Sequence, residues 1–171
     1  MLEEFTANNI IVVWNPRGLN GPNRGMVLRT LVEDASASIV CLVESKLENV
    51  DRYTIVSFLG QSFDGFVALT ANNTMRGIIV AWQSSHVQVS RTQVDAFSVT
   101  ITLSIDGGEP WSLTTVYRPT MDHLRIQFLE ELSAVRAAFA GRWAVTWHFN
   151  LIMEAADKNN GRLHRHMMGR F

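Results

Sequence analysis

The sequence has little of several features that would define a class of protein at once. Its 171 residues include one cysteine, Cys41, so an internal disulfide framework is excluded and a reducing compartment is favoured. No apolar run approaches the ~18 residues of a membrane span, and the acidic residues 1–4 are unlike a secretory signal. Fifteen basic residues against sixteen acidic ones leave a formal charge of −1, so no global basic field indicates nucleic-acid binding. We expect an intracellular protein without a membrane segment, with the nucleus as one candidate location.

Enough apolar material is present for one folded domain. Hydrophobic residues make up 47% of the chain, a share typical of a globular protein with a sizeable core. Residues 156–171 contain four basic side chains and one aspartate, a local net charge of +3, with little apolar periodicity. We therefore predict one domain over residues 1–155 and a loosely ordered basic tail over residues 156–171. The tail either contacts a phosphate backbone or is a solvated terminus, and its composition fits both interpretations.

The first part of the chain alternates apolar strands with helical patterns. Residues 10–14 and 39–43 are continuous apolar runs rich in β-branched side chains, which predicts strands buried on both faces. Cys41 lies in the second run, where a buried core residue is a better interpretation than a reactive thiol. A helix is predicted from Pro22 to about Ser36, with an apolar face formed by Val27 or Leu28, Leu31 and Ala35. Residues 50–61 are ambiguous, and a short helix is favoured. Strand, helix and strand in this order indicate a layered α/β architecture.

The middle of the chain predicts a series of short strands. The candidates are residues 63–69, 77–82, 87–90, 97–104 and 111–117, and consecutive strands should pair antiparallel. Apolar residues alternate with Ser and Thr over residues 97–104, which predicts a half-buried strand. Asp106, Gly107 and Gly108 tolerate positive φ, so the chain should turn back there as a hairpin.

A helix and a further strand follow. The helix should start within residues 119–122, and apolar side chains recur at helical spacing at Leu124, Phe128, Leu132, Val135 and Phe139. Gly141 should end it, and residues 142–146 predict another buried strand. That strand runs into His148 and Asn150.

Four of the predicted strands end at polar side chains, namely Asn15, Glu44, Tyr117 and the pair His148 and Asn150. An apolar run that stops at polar groups is how a buried strand delivers reactive atoms to a cleft. Each residue also has a plainer interpretation. Asn15 is a turn former, Glu44 is a carboxylate paired with Lys46 or an arginine, Tyr117 is a strand end with a wet hydroxyl, and His148 is a polar strand terminus.

These segments resemble motifs of the endonuclease/exonuclease/phosphatase superfamily. Members of that superfamily include apurinic endonucleases, pancreatic deoxyribonuclease and the endonuclease domain of non-long-terminal-repeat retrotransposons. Residues 14–19 look like its Trp-Asn-x-x-Gly-Leu, and residues 42–46 are similar to its Leu-Gln-Glu-Thr/Ser-Lys. Residues 77–82 resemble its Gly-Gly-hydrophobic segment and residues 116–119 its Tyr-Gly-Pro. The motif sequences look most similar to those of plant retrotransposon copies, and the four motifs occur in the same order as in the superfamily.

The resemblance implies a two-sheet α/β sandwich that hydrolyses phosphodiesters with a divalent metal, usually Mg²⁺, at the loop ends of its sheets. Glu44 matches the acidic metal ligand, and carboxylate oxygen is the ligand that Mg²⁺ prefers. Asn15 matches an amide that helps to place the metal or its water, and Tyr117 matches a hydroxyl that contacts the phosphate. Asn150 matches the amide that holds phosphate oxygens as charge develops. DNA is the implied partner.

The sequence departs from the superfamily pattern at several positions. His148 stands where the superfamily has the aspartate that orients the attacking water, and losing a positioned base typically costs ~10²–10⁴ in rate. Arg118 replaces a glycine in a turn that we expect to need positive φ, and Arg76-Gly77 replaces a glycine pair. The closing Ser-Asp-His motif does not occur in the sequence.

These departures lead to an expectation of a truncated, mutated copy of a nuclease domain. Its ancestral reaction would be Mg²⁺-dependent DNA nicking for retrotransposition, and its present activity would be weak or lost. The missing end of the second sheet would leave an exposed edge that favours self-association. Two alternatives stay open: a non-catalytic module that binds nucleic acid or protein, and a non-functional remnant that forms no stable monomer.

Overall fold

The computed structural model of the chain describes residues 10–21, 23–72, 76–119, 121–139 and 141–147. The first half contains β1 (Ile10–Trp14), α1 (Arg24–Asp34), β2 (Ala37–Val43), α2 (Arg52–Leu59), β3 (Gly65–Leu69) and β4 (Ile78–Trp82). The second half contains β5 (Val87–Val94), β6 (Ser98–Ile105), β7 (Trp111–Val116), α3 (Asp122–Ala138) and β8 (Trp143–Trp147). The predicted domain boundary at residue 155 and the predicted basic tail lie outside the described residues.

The strands form two four-stranded sheets, which confirms the predicted two-sheet α/β sandwich. The first sheet has the order β1-β2-β4-β3, with β1 and β2 parallel and the other pairs antiparallel. The second has the order β5-β6-β7-β8, with β7 and β8 parallel. The prediction that consecutive strands pair antiparallel was wrong for β4 and β5, because these two strands belong to different sheets. The chain crosses there in a tight turn, in which the Val87 N–H donates to the Gln83 carbonyl at 3.0 Å.

The main core lies between the two sheets. Ile39, Cys41 and Val43 of β2 belong to one buried cluster with Val99 and Ile101 of β6. The alternate residues of β2, Val40 and Leu42, face the other way and pack under α1 and α2. Every residue of β2 is therefore buried, as its continuous apolar run predicts. Burial raises the pKa of the Cys41 thiol to about 11, which confirms the interpretation of Cys41 as a core residue.

The prediction that β1 is buried on both faces was wrong. Ile10 is 38% and Val13 is 42% exposed, because β1 lies at the edge of the described sheet and pairs there with β2 alone. The apolar face of α1 also differs from the prediction: Leu28 and Val32 are buried, whereas Leu31 is 39% exposed. One residue is a rotation of about 100° around a helix, so only one of two adjacent positions can face β2.

The alternation along β6 predicted a half-buried strand, but both of its faces are largely covered. Val99, Ile101 and Leu103 belong to the core cluster between the sheets, while Ser98 and Thr100, on the other face of β6, are also buried. The buried hydroxyls are satisfied locally, because Thr100 shares a hydrogen bond with Thr114 at 2.9 Å. Ser98 donates to Glu131 of α3 at 2.7 Å.

The later elements follow the sequence pattern with one exception. The α3 stripe is confirmed, with Phe128 and Val135 buried and Phe139 buried at the end of the helix. The hairpin after β6 is confirmed by Asp106 and Gly107, whose φ angles are 47° and 75°. The predicted burial of the last strand was wrong, since Ala144 is exposed on β8, the outermost described strand of its sheet. None of the helices in the described ranges has the length and hydropathy to span a bilayer.

Candidate functional site

Three loops of the first sheet meet at one edge, which we call the strand-end rim: residues 15–19 after β1, residues 44–46 after β2 and residues 76–77 before β4. Parallel β1 and β2 end at the same edge, and antiparallel β4 starts there. The backbone joins the loops, because the Gly18 N–H donates to the Glu44 carbonyl at 2.8 Å and the Lys46 N–H to the Arg76 carbonyl at 2.9 Å. The strand topology therefore assembles the rim without side-chain contacts.

Tyr117 brings the second sheet to the same rim. Its N–H donates to the Phe97 carbonyl at 2.9 Å, and its ring belongs to the core cluster between the sheets. Burial raises the pKa of the Tyr117 hydroxyl, the charge of Arg76 lowers it and the charge of Glu44 raises it, so both charged groups lie within electrostatic reach. Asn15, Glu44 and Tyr117 are thus brought together, although they come from three distant parts of the sequence.

His148 and Asn150, the other two predicted site residues, lie outside the described residues. The strand that leads to them is described, because β8 runs parallel to β7 and pairs Trp147 with Val116. Val116 directly precedes Tyr117, so β8 ends at the same edge as β7. The described backbone just before His148 therefore lies at the edge where the site is predicted. The roles of His148 and Asn150 stay predictions.

The rim contains an unusual share of left-handed backbone. Arg17, Glu44 and Lys46 are three of the five described non-glycine residues with positive φ, at 52°, 63° and 56°. Gly18 and Gly77 add φ angles of 104° and 79°. A non-glycine residue in this region costs on the order of 1–3 kcal/mol, and such strain clusters at ligand sites. Strained backbone persists only where other contacts stabilise it, and at the rim these contacts include the hydrogen bonds between the loops.

Glu44 and Arg76 form an ion pair at the rim. The Glu44 Oε2 and the Arg76 Nη1 are 3.0 Å apart, with the Glu44 side chain 9% and the Arg76 side chain 49% exposed. The hydrogen bond to Glu44 raises the pKa of Arg76. The plainer interpretation of Glu44, a strand-end carboxylate paired with an arginine, is thus correct as a description of its contacts. Sequence reasoning missed Arg76 as a site residue, although a cation in place of a motif glycine was the signal that could have indicated it.

Two polar side-chain atoms at the rim are buried and have no hydrogen-bond partner among the described residues. They are Asn15 Nδ2 and Ser45 Oγ. The Asn15 Oδ1 accepts from the Arg17 N–H at 2.9 Å, so Asn15 forms the turn that its plainer interpretation predicts. Its amide N–H groups remain able to donate to an acceptor such as a phosphate oxygen.

The rim carries more positive than negative charge, in contrast to the whole chain. The rim loops carry three exposed cations, Arg17, Lys46 and Arg76, and one buried carboxylate, Glu44. Arg118, directly after Tyr117, is 93% buried. The expectation that Arg118 needs positive φ was wrong, since it is not among the described residues with positive φ. The backbone of this turn therefore accepts a residue that has a Cβ atom, and it does so without adopting a left-handed conformation.

The described side chains at the rim do not fit a resident Mg²⁺ as they are arranged. Within the described ranges no three His, Cys, Asp or Glu residues lie close enough together to hold a metal ion. Glu44 is engaged by Arg76, and the Asn15 Oδ1 is engaged by the Arg17 N–H. Mg²⁺ can use one carboxylate together with waters and substrate phosphate, but the positive charge of Arg76 lies 3.0 Å from this one and opposes a second cation.

Two packed four-stranded sheets with helices on their outer faces and a polar rim at the loop ends form a deoxyribonuclease-like fold. Danio rerio TDP2, in complex with a single-strand DNA product, matches with a TM-score of 0.54 and 16% identity, over 80% of this chain and 58% of that one. The AP endonuclease LMAP from Leishmania major matches with a TM-score of 0.54 and 19% identity, over 82% of this chain and 55% of that one. The human Nocturnin catalytic domain, with a bound sulfate anion, matches with a TM-score of 0.55 and 14% identity, over 83% of this chain and 64% of that one.

These structural matches show the fold alone, because their sequence identities are low. The chain spans between 55% and 64% of the length of the three matched chains. No protein-family model matches the sequence, and the comparison with curated proteins found no match. The chain thus has the fold of these three matched structures.

Proposed function

We propose that the chain binds the phosphodiester backbone of nucleic acid at the strand-end rim. The observation that carries this proposal is the convergence of Asn15, Glu44 and Tyr117 with exposed cations at one edge of the sandwich. Arginine and lysine neutralise phosphates, and an arginine fork can hold two phosphate oxygens. The DNA product bound to TDP2 and the sulfate bound to Nocturnin support the proposal that a protein with this fold binds an anionic ligand.

Each rim residue has a proposed role. Arg76, Arg17 and Lys46 attract the phosphate, while the Asn15 amide and the Tyr117 hydroxyl donate hydrogen bonds to its oxygens. Asn150 would add a further amide from the end of the second sheet. Glu44 orients Arg76 through their ion pair.

We further propose that the reaction of the ancestral domain was Mg²⁺-dependent nicking of DNA in retrotransposition, and that this activity is weak or lost. His148 in place of an aspartate removes the expected carboxylate base, and an imidazole is longer and repels a metal when it is protonated. The ion pair between Glu44 and Arg76 is a second reason to expect weak or lost activity.

Binding is tested by the fluorescence anisotropy of labelled single- and double-stranded DNA at several salt concentrations. We expect log K to fall with log salt, and Arg76→Ala to weaken binding and to lower the magnitude of the slope by about 1. Arg142→Ala is the matched control. Arg142 is exposed and lies at the opposite end of the second sheet, where its carbonyl accepts from Ser112 at 2.9 Å. A module that binds only protein would give no DNA affinity, and equal effects of the two variants would contradict a phosphate site at the rim.

Activity is tested by incubating the protein with supercoiled plasmid and Mg²⁺. We expect nicking at or near background, and no further loss in Glu44→Gln, because the base position is His148 and Glu44 is paired. Robust nicking that Glu44→Gln abolishes would contradict the proposed loss of activity. The DNA-binding proposal would be unaffected by that result.

A further inference from the structure

The ion pair of Glu44 and Arg76 is held by the backbone as well as by the side chains. The residue after Glu44, Ser45, donates its N–H to the Gly77 carbonyl at 3.3 Å, and Lys46 donates to the Arg76 carbonyl at 2.9 Å. The loops that carry the two side chains are therefore joined by two backbone hydrogen bonds next to the pair. The guanidinium is built into the rim and does not reach it from a distant surface.

This pairing competes with a divalent cation. Mg²⁺ prefers carboxylate oxygen, and Glu44 supplies a buried carboxylate at the position where the superfamily resemblance implies a metal ligand. Arginine keeps its positive charge at any ordinary pH, so a cation bound to Glu44 would lie beside a fixed like charge. A metal ion at Glu44 would therefore be repelled by the guanidinium, and its affinity for this carboxylate should be lower than without Arg76.

About half of the Arg76 side chain stays exposed while it is paired with Glu44. A guanidinium has five N–H donors, and within the part of the chain that the structure describes the hydrogen bond from Nη1 to Glu44 Oε2 uses one of them. Donors therefore remain for an anion that approaches from solvent. Glu44 fixes the orientation of the guanidinium, which lowers the entropy that Arg76 loses when it binds a phosphate.

We propose that Arg76 takes the place of the divalent cation at Glu44, so that the rim binds phosphate through a guanidinium and binds Mg²⁺ or Mn²⁺ poorly. The exclusion of metal rests on the ion pair alone. The binding of phosphate rests on the proposed function.

The exclusion of metal is tested by titrating the whole chain with Mn²⁺ and measuring free Mn²⁺ by electron paramagnetic resonance. Arg76→Ala and the neutral, longer Arg76→Gln should each tighten Mn²⁺ binding at least about tenfold, because they remove the like charge. Arg76→Lys keeps the charge and should bind Mn²⁺ as weakly as the unmodified chain. Arg142→Ala removes one positive charge elsewhere and should leave Mn²⁺ binding unchanged. Adding Glu44→Gln to Arg76→Ala should abolish the gain.

The inference is overturned if the unmodified chain binds Mn²⁺ as tightly as Arg76→Ala, or if the gain survives Glu44→Gln. The two Arg76 variants are checked by thermal melting, and Arg76→Gln decides the question if Arg76→Ala does not fold. DNA affinity that is unchanged by a chelator supports binding through the guanidinium, and affinity that is lost with the chelator overturns it. A chain that binds no DNA overturns the proposed function and the phosphate part of this inference, while the Mn²⁺ comparison still decides the metal part.

Discussion

Gly77 shows how a single residue shapes the rim. Its φ of 79° is one that L-residues rarely adopt, and an added Cβ would lie 2.5 Å from the Ser45 Oγ and 3.2 Å from the Ala71 backbone nitrogen. The loop before β4 can therefore approach the loop after β2 only with glycine at this position. That approach brings Arg76, the preceding residue, to Glu44.

We expect Gly77→Ala to lower the free energy of unfolding by more than Gly107→Ala, as measured by urea denaturation. Gly107 has a similar φ of 75° but no atom within 4 Å of an added Cβ, so it controls for backbone strain alone. Strain at such a position costs on the order of 1–3 kcal/mol, and the contact with Ser45 should add about 1 kcal/mol or more at Gly77. Equal losses in the two variants would show that the close approach at Gly77 is not tight.

The sequence indicated Asn15, Glu44 and Tyr117 because each follows an apolar strand, and strand ends are readable from local pattern. Arg76 was noted only as a departure from a glycine pair. Its partner Glu44 lies 32 residues earlier, and no periodicity links a loop before one strand to the end of another. A contact of this kind depends on sheet order, which local sequence does not encode.

At the scale of elements, α3 is attached to the second sheet by a charged group as well as by its apolar stripe. The Glu131 carboxylate accepts from the Phe97 N–H at 3.0 Å and from the Ser98 hydroxyl at 2.7 Å. Burial beneath the helix raises the pKa of Glu131, and the hydrogen bonds from Ser98 and Phe97 lower it in part. The sequence stripe predicted the apolar contacts of α3 and did not predict this polar one.

The raised pKa of Glu131 gives a pH dependence of stability with a definite sign. The folded state binds the proton more tightly than the unfolded state, so this contribution to stability is full below the unfolded pKa and is lost as the pH rises through the folded pKa. Relative to Glu131→Gln, the unmodified protein should lose stability between about pH 4 and the folded pKa of Glu131. Urea denaturation at a series of pH values measures this, with Glu130→Gln on the exposed side of α3 as control for one lost charge. The opposite trend would show that hydrogen bonding outweighs burial at Glu131.

At the scale of the whole molecule, we expect association with another copy to occur at the edge strands of the two described sheets. Among the described strands, β1 and β3 border the first sheet and β5 and β8 border the second. β1 combines its edge position with two exposed apolar side chains, Ile10 and Val13. An unpaired edge with apolar side chains can pair with a second chain, which keeps self-association as a prediction.

We expect the chain to self-associate with rising concentration in sedimentation velocity, and Val13→Lys to shift it toward monomer. A lysine on an edge strand opposes pairing with another copy, since it places a charge where the new interface would be apolar. Met26→Lys is the control, because Met26 is 72% exposed on α1, away from the edge. A monomer at all concentrations, or equal effects of the two substitutions, would contradict pairing through β1.

The two-sheet sandwich was an expectation from the superfamily resemblance. By itself, the sequence determined the layered α/β class, most of the elements and three of the residues that meet at the rim. These follow from local properties: apolar runs form strands, the α3 stripe has helical spacing, and Asp106 and Gly107 tolerate the turn. Only the tertiary structure decided that β1 is exposed, that Leu31 faces outward and that Arg76 holds Glu44. Burial and pairing depend on which elements become neighbours, and that is settled by the packing of the whole chain.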